Sequence, residues 1–356
     1  MIDPIEQFAS EFAPTHEILN LISEIDEFKG KWKVLQNLSP ERLSALRRVA
    51  TIESVGSSTR IEGVKLTDRE VETLLSDLKQ YSFTSRDEEE VAGYAGAMEL
   101  VFESWQDISL TENHVQQLHS VLLKFSSKDV SHRGEYKKLS NNVAAFDADG
   151  REIGVVFETA SPFETPLAMQ SLIRWLDRTA ADKQIHPLLI ISVFVVCFLA
   201  IHPFQDGNGR ISRILTTLLL LRFGYGYVPY ISLESIIEEN KDLYYKALRQ
   251  TQKTLRESET DWEKWCLFFL KCLKKQKDKL ASKLEREKII APALPKLSVE
   301  ILALLKEHAQ LTIAEIESLT RANRNTLKVR LRELVRDNLI EQNGQARATF
   351  YRLKAA

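Results

Sequence analysis

Cysteine is scarce in this chain. Cys197, Cys266 and Cys272 are the only three in 356 residues, an odd number without the paired spacing of a zinc site. That argues against a disulfide-stapled scaffold and predicts a reduced, cytoplasmic setting. Excess charge is lacking too: a formal net charge of −2 gives no global pull toward nucleic acid or membrane, so any such affinity must be local. No long hydrophobic run is present. Leu188 to Ile201, fourteen residues interrupted by Ser192, is too short for a membrane span and reads as a buried helix. The start, Met1-Ile2-Asp3-Pro4, lacks the basic and apolar regions of a signal peptide, and neither internal repeats nor low-complexity segments occur. What remains is ordinary soluble composition, 44% hydrophobic and 28% charged, in a length that suggests two or three domains.

Helical spacing dominates. Leu43, Leu46, Val49, Ile52 and Val55 exemplify it between Thr15 and Gln80, and Thr67–Leu78 follows with Asp68 and Glu70 in its first turn. Asp87–Glu90 reads as a solvated helix start. His114 and His119, in the next helix, read as surface or packing residues, because no further metal-ligand type clusters with them. Before residue 293, strand character is confined to Ser131–Pro166, where the turn Asp147–Gly150 precedes Ile153–Phe157. After the buried run come a helix at Ile211–Phe223, a single helix at Ile236–Leu255, and an amphipathic Trp262–Leu273. The lysine-dense Lys274–Lys288 reads as a solvated helix or spacer, and Pro292 and Pro295 mark a boundary.

Chemistry concentrates in His202-Pro203-Phe204-Gln205-Asp206-Gly207-Asn208-Gly209-Arg210, a polar loop between two apolar helices. Gly207 and Gly209 let main-chain N–H groups approach a ligand, and the helix start adds unpaired donors and a positive dipole end. Arg210 and Arg213, three apart, can hold a polyphosphate. Asp206 suits Mg²⁺, which binds through one or two carboxylates plus substrate phosphates. His202 is a base for neutral pH. The combination points to phosphate-transfer chemistry on a nucleotide.

These residues resemble the Fic family signature H-P-F-x-[DE]-G-N-[GK]-R, extended by x-x-R to Arg213. The resemblance implies a mainly α, Fic-type helical bundle with a small β-hairpin flap. It implies a protein adenylyltransferase that moves AMP from ATP to a Ser, Thr or Tyr hydroxyl of a target, or of itself. His202 would deprotonate the hydroxyl, Asp206 hold Mg²⁺, Gly207, Asn208 and Gly209 cradle the phosphates, and Arg210 and Arg213 hold the terminal ones. Asn240 and Tyr244 would help form the adenine pocket, and the hairpin would align the target by strand addition. Ser58-Thr59-Arg60-Ile61-Glu62-Gly63, by itself a helix end, resembles the family's inhibitory motif [ST]-x-x-x-E-[GN]. In that reading Glu62 pairs with Arg213 and displaces the γ-phosphate, with Ser58 and Gly63 completing the motif. Two alternatives stand beside the transferase: a hydrolase that removes AMP with Glu62 positioning water, and a DNA-binding regulator that senses a nucleotide.

Beyond Ala293, three helical patterns (Ser298–Lys306, Thr312–Leu319, Asn323–Asp337) and two strands joined across Asn343-Gly344 resemble a winged helix-turn-helix. Arg324, Lys328 and Arg332 on the third helix and Arg347 on the wing would face DNA. Eleven Lys or Arg against seven Asp or Glu permit this without requiring it, and such modules also dimerise or dock proteins. The expected organisation is an N-terminal helical region with the inhibitory helix (1–105), a catalytic core with flap (106–272), a basic linker (273–292) and the winged domain (293–356).

Overall fold

The computed structural model describes residues 5–6, 8, 12–35, 40–76, 82–146, 152–255, 257, 259–290, 295–308, 310–336, 339–344 and 349–354. Two compact units divide at Leu280/Ala281. The regions expected at 1–105 and 106–272 share one body, and the division falls within the stretch expected as a basic linker, 273–292.

The first unit is helical, in the order α1 (His16–Leu35), α2 (Pro40–Ile61), α3 (Asp68–Ser76), α4 (Arg86–Ser104) and α5 (Glu112–Leu122). The hairpin β1 (Val143–Phe146) and β2 (Glu152–Phe157) follows. Next come α6 (Thr165–Asp182), α7 (Pro187–Ile201), α8 (Asn208–Arg222), α9 (Glu234–Glu239), α10 (Lys241–Thr254) and α11 (Glu263–Ile290). No helix among the described residues is long and apolar enough to cross a membrane.

Helix α7 is the axis. Every residue from Leu188 to Ile201 is buried, which explains why its sequence shows no polar face. Pro187 fits the first turn, and the His186 ring accepts from the Leu188 N–H as its cap. Removing one of its large side chains, as in Phe194→Ala, would cost about 3–5 kcal/mol. Helix α8 is buried over most of its length and packs against α7, so the polar loop between them is held by two core elements. Helix α2 packs on α4 and α9 and brings its C-terminal end to the start of α8.

Two expectations change here. The helix predicted over Ile236–Leu255 breaks at Asn240 (φ −123, ψ 32), whose Nδ2 donates to Ile236 O at 2.7 Å. The lysine-dense stretch, read as a solvated helix or spacer, is helical, part of the continuous α11, but one of its faces is buried. Leu273, Gln276 and Leu280 form a buried stripe along it, while Lys275 and Lys279 reach Glu239. The hairpin pairs antiparallel from Val143↔Phe157 to Phe146↔Glu152, and β2 lies against α10. Its expected turn, Asp147–Gly150, lies outside the described residues.

The second unit contains α12 (Lys296–Glu307), β3 (Leu311–Thr312), α13 (Ile313–Thr320), α14 (Arg324–Arg336), β4 (Ile340–Asn343) and β5 (Phe350–Leu353), with sheet order β3-β5-β4. Ile301, Ile316, Leu327, Leu331 and Ile340 form its core. Thr312 and Glu315 make a reciprocal cap at α13. The two strands expected on either side of Asn343-Gly344 are present, and Asn343 pairs with Phe350 as the last residue of β4. Arg347 lies between them, outside the described residues.

Candidate active site

The loop begins where α7 ends in a left-handed residue, His202 (φ 53), whose N–H donates to Phe198 O. Its Nδ1 lies 3.3 Å from Leu199 O. A carbonyl only accepts, so this assigns the ring proton to Nδ1 and leaves the Nε2 lone pair as the basic site. Burial pushes the imidazole down to about 4, aided by the charge of Lys137 and opposed by Leu199 O, Glu62 and Asp206. The ring is thus neutral at pH 7, the form a base requires.

Asn208 braces the loop across its width. Its Oδ1 accepts from Phe204 N at 2.9 Å and its Nδ2 donates to Phe204 O at 2.7 Å, so the side chain expected at phosphate is used internally. Gly207 takes φ +80, with Leu122 and His119 packed where a side chain would begin. Helix α8 starts there without a side-chain cap, leaving its first N–H groups as an anion site.

Asp206 faces the mouth of that site. Its Oδ1 accepts from Gly207 N at 2.6 Å, and its Oδ2 lies 3.1 Å from Arg86 and 3.3 Å from Arg210. Burial raises this carboxyl's pKa, but Arg210, the Gly207 N–H and Arg86 outweigh it and hold it ionised. A single ionised carboxylate beside a phosphate nest is a donor set that suits Mg²⁺. Among the described residues no three His, Cys, Asp or Glu side chains gather into a metal site.

Arg210 and Arg213 diverge despite their three-residue spacing. Arg210 is buried with Nη1 2.7 Å from Glu90, and its Nε–H has no partner. Arg213 turns to the end of α2: Nε donates to Ser58 Oγ at 2.7 Å, and Nη2 donates to Ser58 O at 2.9 Å and Glu62 Oε1 at 2.7 Å. Glu62 leaves α2 through Gly63 (φ +108) and lays its carboxylate over Gly209, where any Cβ would collide with Oε1. An anion therefore already sits at the helix start. Arg60, two residues earlier, fixes this turn by gripping Glu238 through Nε (2.7 Å) and Nη2 (3.0 Å) and Asp68 through Nη1 (2.9 Å).

Of the two residues expected at an adenine pocket, Tyr244 lies beside Ser212 and Arg213. Asn240 is used at the α9–α10 break. Tyr244 is buried against Trp265 and Phe268, with Arg213 and Ser212 within hydrogen-bonding reach of its hydroxyl. Tyr245 is the half-buried member of the pair, and its pKa is raised by burial and then by the Glu62 charge. Two residues read as bland are part of the site. Glu90, expected in solvent, is nearly buried between Arg86 and Arg210. His119 stacks on Phe204 at 3.8 Å between ring centres, accepts from Gly134 N at 3.0 Å and lies 3.0 Å from Asp206 O. With Nδ1 accepting, Nε2–H donates to Asp206 O and fixes the loop.

A helical body built around such a loop is a Fic-type fold. It is shared with a Fic family protein from Desulfovibrio desulfuricans G20, TM-score 0.63 over 97% of this chain and 98% of that one at 24% identity. The model of the Fic/DOC family matches residues 109–220 of the chain. A Fic domain containing signaling protein from Bacteroides thetaiotaomicron is 28% identical, with a TM-score of 0.59 over 72% of this chain and 94% of its own. The protein adenylyltransferase Fic of Drosophila melanogaster is 29% identical over 214 residues, 59% of this chain and 39% of that protein. The chain thus spans well under half the length of the curated relatives it matches.

Proposed function

We propose that the chain is an autoinhibited protein adenylyltransferase that transfers AMP from ATP to a hydroxyl side chain of a target protein. The observation that carries this reading is the Glu62 carboxylate seated at Arg213 and Gly209, which marks the start of α8 as an anion site and fills it. In the open site His202 Nε2 takes the proton from the acceptor hydroxyl, the oxygen bonds to the α-phosphorus, and the bond to the β-phosphate oxygen breaks to release pyrophosphate. Asp206 would hold Mg²⁺, which supplies charge neutralisation on the phosphates. The unpartnered Arg210 Nε–H and the N-terminal N–H groups of α8 offer donors to phosphate oxygens. Tyr244 and Tyr245 offer aromatic groups beside the site. The hairpin β1–β2 gives a strand edge for an extended target segment.

The test is transfer from labelled ATP by wild type, Glu62→Gly and Glu62→Gly/His202→Ala, read on lysate proteins and on the chain itself. Transfer that appears with Glu62→Gly and vanishes with the second substitution supports the reading. If AMP is instead removed from modified protein only while Glu62 is present, the hydrolase direction holds.

A second activity is favoured by the surface of α14. Asn325, Lys328 and Arg332 lie exposed along one stripe, and among the described residues neither Lys328 nor Arg332 pairs with an acid, whereas Arg324 pairs with Glu317. We infer that this unit is a winged helix whose third helix contacts duplex phosphates. A mobility shift at low salt tests it; a change of oligomeric state without DNA binding would assign the unit to self-association.

A further inference from the structure

Lys137 is buried to 3% exposure, yet nothing in the proposed reaction uses it. Its ammonium donates to Asn141 Oδ1 at 2.7 Å, Thr159 Oγ1 at 2.9 Å and Ile201 O at 3.0 Å, three acceptors for three protons. Its backbone N–H donates to Pro203 O at 2.8 Å. Asn141 Nδ2 donates to His202 O at 3.3 Å and Phe204 O at 2.6 Å. The carbonyls of four consecutive residues, 201 to 204, are thus all met by Lys137 and Asn141, and only Phe204 O is shared, with Asn208. The same pair grips the hairpin, since Asn141 and Asn142 lead into β1 and Thr159 follows β2, with Thr159 N donating to Asn142 Oδ1 at 3.1 Å.

Burying an ammonium is costly unless each of its protons is met, as all three are here. The bonds it makes join two parts that transfer requires together. We propose that Lys137 is a positioning residue that ties the root of the β1–β2 hairpin to the His202 loop, so that the strand receiving the target and the base acting on it move as one body. This rests on the adenylyltransferase reading above. The nucleotide contacts lie on α8 and outside this knot.

Lys137 also bears on the base electrostatically. The charged groups facing His202 are Lys137 from the segment before β1, Glu62 from the end of α2 and Asp206 from the loop itself. Lys137 disfavours imidazolium and the two acids favour it. Burial brings Lys137 itself down to about 8, so its positive charge is present at and below neutral pH.

The experiment compares Lys137→Met, Lys137→Arg and Thr159→Val in the Glu62→Gly protein. Lys137→Met should lower kcat on the order of 100-fold, the scale of a misplaced base, with ATP affinity unchanged. The acid limb of its pH profile should move to higher pH as His202 regains proton affinity. Lys137→Arg, which keeps the charge and offers several donors, should recover part of kcat. Thr159→Val frees one hairpin root and should raise the KM for protein acceptor without moving the acid limb. Independently of turnover, NMR titration of the His202 ring should report a higher pKa in Lys137→Met than in its parent. An unmoved His202 titration, or full kcat in Lys137→Met, overturns the assignment. If Lys137→Met does not fold, unchanged acceptor KM in Thr159→Val overturns it. Failure of Glu62→Gly itself to transfer AMP would overturn the parent reading, while the His202 titration still decides the role of Lys137.

Discussion

Glu62 Oε1 and Arg213 Nη2 are 2.7 Å apart, and the same carboxylate covers Gly209 at the start of α8. Two kinds of cationic partner, a guanidinium and a helix N-terminus, are thereby taken by one side chain. Glu62→Gly removes a charge-assisted contact of about 1.5–3 kcal/mol. AMP transfer should rise roughly 10- to 100-fold if that contact is what ATP must displace. Arg213→Ala in the same protein should cancel most of the gain, since the two substitutions share one interaction. Equal kcat/KM for ATP in wild type and Glu62→Gly would refute the competition.

Arg60 sets where Glu62 can reach. Its bidentate grip on Glu238 is partly solvent-exposed, so breaking it with Glu238→Gln should cost on the order of 1 kcal/mol and leave the fold intact. Basal transfer should increase by a few-fold, about what that energy allows. In the Glu62→Gly background the same substitution should do nothing. A gain of equal size in both backgrounds would show that Arg60 acts elsewhere.

His119 and His202 are each held neutral by burial, down to about 4 from an ordinary 6.5. Between those values the unfolded chain binds more of these protons than the folded one, so the two histidines' contribution to stability falls as pH drops from 6.5 toward 4 and is constant below. Thermal unfolding across that window checks the slope. His119→Gln keeps a donor for Asp206 O and removes one titrating ring, so its slope should be shallower than wild type.

Asp206→Ala should raise the Mg²⁺ concentration needed for half-maximal transfer and lower turnover. It also releases Arg86 and Arg210, so Asp206→Asn, which keeps a hydrogen-bonding group, is the informative companion. Superimposable Mg²⁺ titrations for the parent protein and Asp206→Asn would remove this carboxylate from the metal role.

For the second unit, duplex affinity should fall with salt at a log–log slope of about 0.9 per phosphate neutralised. Replacing Lys328 and Arg332 with Ala should flatten that slope by about two such contacts. Arg324→Ala should matter less, because Glu317 already neutralises that side chain.

The chemistry-bearing loop was legible because its residue types are rare in combination and contiguous, and the buried α7 because fourteen residues carry one message. The pairing of Glu62 with Arg213 was legible only through the resemblance of both motifs to one family. Glu90, His119 and Lys137 were not. Each acts on a residue far along the chain, His119 on Asp206 and Lys137 on Ile201, and local spacing holds no record of such contacts. Asp87–Glu90 illustrates the ambiguity: its first residues do start a solvated helix, while Glu90, one helical step on, turns inward to two arginines. The helix break at Asn240 was not legible either, since the donation of its Nδ2 to Ile236 O leaves no trace in the periodicity.

Ser58 has a consequence for how the protein can be switched. Its hydroxyl and carbonyl aim the Arg213 fork from the same helix that carries the blocking carboxylate. Scaffold and plug are one segment, so deleting α2 would remove the obstruction and unaim the arginine together. In the autoinhibited enzyme proposed above, an activating signal would lift the turn after α2, from Glu62 onward, and leave Ser58 seated. Truncation and point substitution should therefore give different enzymes.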